Sequence, residues 1–175
     1  SGDCITENMQ RVSLTGKPPN ILIYLCSDSR KVQFEEIKSI IMDCVGTNAY
    51  TIYQLLEKQV LTVPWVDNAL LLIIAASEPI SDAVSKQFLA FMSKGGKILG
   101  LSASFTFGGV RIKSKNEIMN TIETLIFSKD KKNEIRIDVL ASGKSFEVDI
   151  SEEINPVKAL GYFDNPDKDM MIVHL

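Results

Sequence analysis

The chain has 175 residues and a formal net charge of −3, with 45% hydrophobic and 23% charged residues. A chain of this length can bury a core large enough to fold without disulfides or a structural metal. The mild net acidity argues against nucleic acid as the main partner, so we expect no nucleic-acid contact. The longest apolar stretch, residues 69–76, is too short to span a bilayer, and we expect no membrane partner.

The three cysteines, Cys4, Cys26 and Cys44, share no C-x-x-C spacing. We interpret Cys26 and Cys44 as small buried side chains in a reducing compartment and expect no metal site. Residues 1–19 are polar and predict a flexible lead-in, whose first two residues resemble a tag remnant. Residues 20–175 are expected to form one domain, which continues past the apolar end of this sequence.

From residue 20 onward, strand-like and helix-like patterns alternate. Apolar runs at 21–26, 49–53, 69–74 and 97–101 predict strands, the first of them buried on both faces. Apolar residues at helical spacing predict two helices, one over 34–44 and one with a buried face of Val84, Phe88, Phe91 and Met92. Ser81 is the predicted cap of the second helix, and Gly95-Gly96 its end. This order predicts a doubly wound, mostly parallel α/β sheet.

The pattern changes after about residue 105. Ser114 and Glu117 form a capping box, and the apolar residues that follow it to Ile126 have helical spacing, so the sequence predicts a third helix. Residues 134–139 and 146–150 alternate between apolar and polar, with a turn-like stretch between them. They predict an antiparallel hairpin added to the sheet.

The candidate site residues follow the third and fourth predicted strands. Binding and catalytic groups of open parallel sheets lie beyond the carboxyl ends of the strands. The two segments are Ala75-Ala76-Ser77 and Gly100-Leu101-Ser102-Ala103-Ser104. The second has the form of a nucleophile elbow, with Ser102 at the nucleophile position.

The residues around these segments resemble known families. Residues 95–104 are similar in spacing to class I glutamine amidotransferases, which carry Gly-Gly, a short strand and Gly-x-Cys-x-Gly at this point. The opening at 19–24 and Pro64-Trp65 resemble the biotin–protein ligase version of that fold. Ser-Phe-Thr-Phe-Gly-Gly at 104–109 is the most specific string. Across residues 11–175 the chain resembles the amino-terminal, amidotransferase-like segment of eukaryotic holocarboxylase synthetase, the biotin–protein ligase family. This resemblance implies a flavodoxin-like, amidotransferase-like sheet with an added hairpin.

Departures from the amidotransferase pattern predict that the chain has no catalytic residue. Ser102 stands where that family has its cysteine, and Ser104 stands where it has a glycine. Ala75-Ala76 replaces the small turn that donates to the oxyanion, and His174 is the chain's single histidine. The sequence also lacks the Gly-Arg-Gly-Arg-type loop with which ligases of this kind bind biotinyl-adenylate.

The resemblance therefore implies a non-catalytic accessory domain of a biotin–protein ligase. The parent protein would use ATP to attach biotin to carboxylase lysines, so biotin and ATP belong to its ligase domain and this chain would hold no cofactor. The implied partners are the catalytic domain of the same ligase and the biotin-carrier domains of carboxylases. Trp65, Phe105 and Phe107 are candidate interaction anchors, with core packing as the alternative for each. The implied compartment is the cytoplasm, with mitochondrial or nuclear forms.

Two other functions stay open at this point. One is a serine hydrolase that uses Ser102 and His174 with an acid among Asp164, Asp167 and Asp169, in an order found in α/β-hydrolases. The other is a small-molecule sensor in which the hydroxyls of Ser77, Ser102 and Ser104 bind a polar ligand.

Overall fold

The chain folds as a mixed α/β protein. A computed structural model describes residues 19–26, 30–46, 49–76, 78–101, 105–107, 110–128, 130, 132–150 and 158–174. Within the strands it describes the backbone alone at 105–107, 110, 114, 116, 150, 158, 159 and 170–174. The contacts separate two compact units, Ser1–Ala103 and Ser104–Leu175. The single domain expected over 20–175 stays a prediction.

Strands and helices alternate in the first unit. Its elements are β1 (Asn20–Tyr24), α1 (Lys31–Val45), β2 (Thr51–Leu55), α2 (Glu57–Thr62), β3 (Ala69–Ile74), α3 (Asp82–Ser93) and β4 (Lys97–Gly100). The four strands form one parallel sheet in the order β2-β1-β3-β4. This is the order of the first four strands in flavodoxin-like doubly wound sheets, and it confirms the predicted parallel sheet.

Strand β1 lies at the centre of this sheet and is covered on both faces. Ile21 and Ile23 belong to an apolar cluster with Ile37 of α1. Tyr24 points to the opposite face, where its ring meets Phe88 of α3. A strand covered in this way has no polar face, which explains the uninterrupted apolar run in the sequence.

Four aromatic side chains join α3 to the sheet. The ring centroid of Phe88 lies 5.1 Å from that of Tyr24 and 6.0 Å from that of Trp65, both edge-on. Trp65 also lies 5.4 Å from Phe91. The indole Nε1 of Trp65 donates to the carbonyl of Val60 at 3.1 Å, which satisfies its polar group inside the core.

The predicted ends of α3 are confirmed. The Ser81 hydroxyl accepts a hydrogen bond from the Val84 amide at 3.3 Å. At the other end, Gly95 has φ of 86° and donates to Met92, while Gly96 donates to Phe91. These two bonds form a Schellman motif, in which glycine adopts the left-handed conformation at low cost.

Two details of the first unit differ from the sequence prediction. Met92 is 39% exposed, so the buried face of α3 is narrower than its spacing indicated. The short helix α2 was not predicted. The Gln59 side chain accepts a bond from the Leu56 amide at 2.9 Å and caps its start, although Leu56 is not a residue that usually precedes helices.

The second unit is built from strands. Its elements are β5 (Phe105–Phe107), β6 (Val110–Ser128), β7 (Glu134–Ile150), β8 (Lys158–Phe163) and β9 (Met170–His174). They form one five-stranded antiparallel sheet, in which β6 pairs with β5, β7 and β8, and β8 pairs with β9.

The predicted third helix is wrong. Residues 114–126 lie inside β6, which pairs with β7 along almost its whole length. Their helix-like spacing does not mark one buried face, because Ile126 is 2% exposed and Ile122 is 76% exposed. Pairing with a strand distant in sequence therefore overrides the local pattern.

The predicted hairpin is also wrong, because residues 134–150 form one continuous strand. The observed hairpin joins β6 to β7, with Ser128 opposite Glu134. Strand β6 has 19 residues and β7 has 17, and two bulges in β6 accommodate the extra two residues. Gly143, in the stretch for which the sequence predicts a turn, has φ of 92°. This left-handed conformation favours glycine, although the chain does not reverse direction there.

We expect Phe88→Ala to lower the free energy of unfolding by about 3–5 kcal/mol, since it removes the centre of the aromatic cluster. Leu89→Ala is the matched control on the same helix. Leu89 is 39% exposed, and its truncation is expected to cost about 1 kcal/mol or less. Urea unfolding measures both, and similar losses would contradict the packing of α3 described here.

A second pair of variants tests β6. We expect Ile126→Ala to cost about 2–5 kcal/mol, because its side chain is buried. Ile122→Ala removes the same atoms from an exposed position of the same strand and is expected to cost about 0.5 kcal/mol or less. If urea unfolding gave the reverse order, the burial assigned to Ile126 and the exposure assigned to Ile122 would be wrong.

Candidate functional site

The carboxyl ends of the four parallel strands meet at one edge of the first unit's sheet. In the observed register, Tyr24 of β1 lies opposite both Leu55 of β2 and Ile74 of β3, and Ile74 lies opposite Gly100 of β4. The chain leaves β1 towards β2 and later returns to the other side of β1 as β3. A doubly wound sheet binds its ligands at such a switch point, so this edge is the candidate site.

Two of the candidate site residues predicted from the sequence lie at this edge. Ala75 and Ala76 follow β3, and they are 3% and 0% exposed. The Ala75 amide donates to the carbonyl of Tyr24 at 3.0 Å, and the Leu101 amide donates to the carbonyl of Ile74 at 2.8 Å. These amides extend the parallel ladder and are not free to bind an oxyanion. Ser77, Ser102, Ala103 and Ser104 lie outside the described residues.

Tyr24 and Cys26 form a contact at this edge that the sequence analysis missed. The Tyr24 ring is completely buried, and its hydroxyl donates to Sγ of Cys26 at 3.4 Å. Burial raises the pKa of the Tyr24 hydroxyl far above its ordinary value, and the hydrogen bond with Cys26 adds to the effect. Cys26 is half-buried with φ of 68°, an uncommon backbone conformation for a residue that has a side chain.

An ion pair connects the segments that follow β1 and β3. Arg30, directly before α1, contacts the carboxylate of Glu78 and also donates to the side chain of Gln33 at 3.3 Å. The side chains of Arg30 and Glu78 are 31% and 46% exposed, so the pair contributes about 0–1 kcal/mol. Its partners lie far apart in sequence, and no local pattern could have indicated it.

Trp65 is not available as an interaction anchor. It is 5% exposed and packs against Phe88 and Phe91, so its side chain belongs to the core. The backbone of Phe105 and Phe107 lies in β5, opposite Ile112 and Val110. The side chains of these two phenylalanines are outside the description, and their role as anchors stays a prediction.

The acids considered for a hydrolase belong to the second unit. Asp164 pairs with Arg136 at 3.4 Å, and Asp169 pairs with Lys115 at 3.2 Å. The hydrogen bond to Asp169 raises the pKa of Lys115, which stays cationic. Two of the three candidate acids therefore have cationic partners. The backbone of His174 lies in β9, its side chain is not described, and Ser102 lies outside the described residues.

The described residues include neither a metal-binding cluster nor a membrane-spanning helix. No group of three histidine, cysteine, aspartate or glutamate side chains is placed to hold a metal ion in the described part of the chain. Among the described helices, none has the length and apolarity needed to cross a membrane.

A sequence comparison shows which protein the chain is similar to. It is 45% identical over 168 residues, or 95% of its length, to human biotin–protein ligase. The chain matches a region of a biotin–protein ligase. It spans 23% of the length of that relative, which fits the predicted resemblance to an amino-terminal segment. No family model matches the chain.

A structural comparison supports the fold. The chain is similar to the crystal structure of a ThuA-like protein from Bacteroides uniformis, with a TM-score of 0.58 and 13% identity. The match covers 88% of this chain and 73% of that protein. At this identity the likeness concerns the fold alone.

Replacing Tyr24 tests the buried hydroxyl at the edge. The pKa of the Tyr24 hydroxyl in the folded state lies above its ordinary value of 10.0. The contribution of this group to the free energy of unfolding is therefore complete below pH 10 and is lost as the pH rises towards the folded pKa. We expect the free energy of unfolding of the wild type to fall faster above pH 10 than that of Tyr24→Phe, by up to about 1.4 kcal/mol per pH unit. Urea unfolding on both sides of pH 10 measures this difference. Every other titrating group is common to the two chains, so parallel curves would contradict the buried environment of Tyr24.

Proposed function

We propose that this chain is a non-catalytic accessory domain of a biotin–protein ligase, which aids acceptor recognition or docks on the catalytic domain of the same protein. The observation that carries the proposal is the 45% identity over 95% of the chain to the human ligase. In this account biotin and ATP bind the catalytic domain, and the acceptors are biotin-carrier domains of carboxylases. The compartment follows the ligase: cytoplasm, with mitochondrial or nuclear forms.

The residues at the edge of the sheet support the proposal that this accessory domain is not catalytic. A serine, Ser102, stands at the position of the amidotransferase cysteine, and the chain has one histidine. The amides of Ala75 and Leu101, the first residues beyond β3 and β4, are used to hold neighbouring strands together. An oxyanion hole needs such donors directed at the reacting atom, so this arrangement favours a structural use of the edge.

The strand order supports a more specific fold. We propose an amidotransferase-like fold whose former active-site edge holds Ala75-Ala76-Ser77 and Ser102-Ala103-Ser104. The order β2-β1-β3-β4 and the likeness to a ThuA-like protein both favour it.

Binding to isolated partners tests the proposed role. The purified chain would be titrated by calorimetry with the remainder of the ligase, and separately with an unbiotinylated acceptor domain. We expect saturable binding to at least one of them. A biotinylated acceptor serves as the control, because a role in selecting substrates favours the unmodified domain. Lack of binding to both partners at high micromolar concentration would contradict the proposal.

The hydrolase alternative has a separate test. We expect a serine-directed fluorophosphonate probe to leave the folded chain unlabelled, because two of the three candidate acids, Asp164 and Asp169, already pair with cationic side chains. Ser102→Ala is the control for nonspecific labelling. Labelling that the wild type shows and this variant loses would establish Ser102 as a nucleophile and favour the hydrolase.

A sensor at the same edge is a second candidate function. The observation that favours it is the group of polar side chains at the switch point: Tyr24 with Cys26, and Arg30 with Glu78. A thermal-shift screen with biotin, nucleotides and glutamine distinguishes it, because a ligand that binds the folded state raises the unfolding temperature. If none of these compounds shifts the transition, the accessory role is favoured over the sensor.

A further inference from the structure

The outward face of α1 carries apolar side chains that remain open to solvent. Val32 and Ile40 are 75% and 62% exposed, and they lie eight residues apart, just over two turns along the helix. A shallow groove follows this face. It is lined by Lys31, Val32, Glu35, Glu36, Ser39 and Ile40. Apolar residues that follow one another on the outside of a helix favour packing against another element.

The sequence that precedes β1 has a pattern that fits this face. Residues 3–15 lie outside the described part of the chain, and their apolar residues have helical spacing. Ile5, Met9 and Val12 follow one another at steps of four and three residues, which places them on one side of a helix. Leu14 would lie on the opposite side of the same helix.

Both ends of this segment carry residues that usually delimit helices. Asp3 is a favoured residue before the first turn, and Gly16 is a favoured residue after the last, with Pro18 just beyond it. Glu7 and Arg11, four residues apart, form a pair that stabilises helices. These local signals differ from the flexible lead-in that the overall polarity of this stretch predicts.

We propose that residues 3–15 form a helix that covers the outward face of α1, with Ile5 beside Val32 and Val12 beside Ile40. The spacings agree, because seven residues of helix rise about 10.5 Å and eight residues rise about 12 Å. Burying these side chains gives the segment the tertiary contact that a short helix needs in order to be stable. The inference concerns the first unit alone and does not depend on the proposed function.

The point at which the segment joins the sheet permits this placement. The Pro19 carbonyl accepts a hydrogen bond from the Thr51 amide at 3.0 Å, so the segment leaves the sheet at the edge where the parallel strands begin. Helix α1 returns to that same edge and ends at Val45. The four residue steps from Thr15 to Pro19 span up to about 13 Å. That length matches the diameter of one helix, about 10–12 Å, which the chain must cross to reach the outward face.

The charges of the two surfaces are compatible. Glu36 lies between the two apolar residues of the α1 face, Asp43 lies one turn beyond Ile40, and both acids are exposed. Arg11, next to Val12, is the only basic residue in the segment. In the proposed register its long side chain can reach both carboxylates. Exposed ion pairs contribute little, so the apolar contact carries the proposal.

Truncating both sides of the contact tests the proposal. In the full chain, Val12→Ala and Ile40→Ala are each expected to raise the equilibrium constant for unfolding about fivefold, because each removes part of a covered contact. The effect of the double variant is expected to be at least about twofold smaller than the product of the two single effects, as is usual for residues in contact. Leu14→Ala is the matched control, and its effect is expected to multiply with that of Ile40→Ala.

Urea unfolding of these variants decides the matter in both directions. If Ile40→Ala changed the unfolding constant by less than about twofold, as substitutions at exposed sites do, the proposal would be overturned. Effects of Val12→Ala and Ile40→Ala that simply multiply would overturn it as well.

Amide exchange gives a second readout. The amides of residues 6–14 are expected to exchange at least about tenfold more slowly than in an unstructured peptide. Val12→Asp places a charge in the contact and is expected to abolish this protection, while the amides of β1 and β3 stay protected. Unprotected amides in the wild type would contradict the helix, and protection that survives Val12→Asp would contradict its contact with α1. Protection that rises with protein concentration would show that a second copy covers the face, which would also overturn the proposal.

Discussion

The complete burial of Tyr24 is the constraint on which the first unit depends. Its ring packs against Phe88, its carbonyl accepts a bond from Ala75, and its hydroxyl reaches Cys26. One residue thus connects the central strand to a helix, to the neighbouring strand and to the following loop. A buried phenol without a partner costs about 1–3 kcal/mol, so the position of Cys26 is tied to the packing of the whole aromatic cluster.

This constraint explains the character of the candidate site. In a catalytic version of such an edge, amides and a nucleophile face a crevice. Here the amides of Ala75 and Leu101 donate hydrogen bonds to neighbouring strands. The ion pair of Arg30 with Glu78 joins the segments that follow β1 and β3. The edge therefore contributes to holding the sheet together.

Much of the first unit could be predicted from the sequence because its determinants are local. Apolar runs marked the strands, helical spacing marked α1 and α3, and Ser81 and Gly95 marked the ends of a helix by their capping chemistry. The contacts at the edge could not be predicted. Arg30 and Glu78 meet only when two loops are brought together by the sheet, and Cys26 looked like any small apolar residue at the end of a strand.

The second unit shows why local patterns can mislead. Ile122 and Ile126 have helical spacing, yet one is exposed and the other buried in a strand. The two bulges of β6 shift its register against β7, which hides the simple alternation expected of a strand. In β7 the apolar residues change from odd to even positions across Gly143, and that change resembled a turn between two short strands.

The central claim is that this chain assists a biotin–protein ligase without taking part in its chemistry. The most direct measurement compares a ligase that carries this chain with the same ligase lacking residues 20–175, using initial rates of biotin transfer to a carboxylase acceptor domain. The account predicts a higher KM for the acceptor after deletion and an unchanged rate of biotinyl-adenylate formation. An unchanged KM and kcat for the acceptor would contradict an accessory role, and a loss of adenylate formation would contradict the separation of this chain from catalysis.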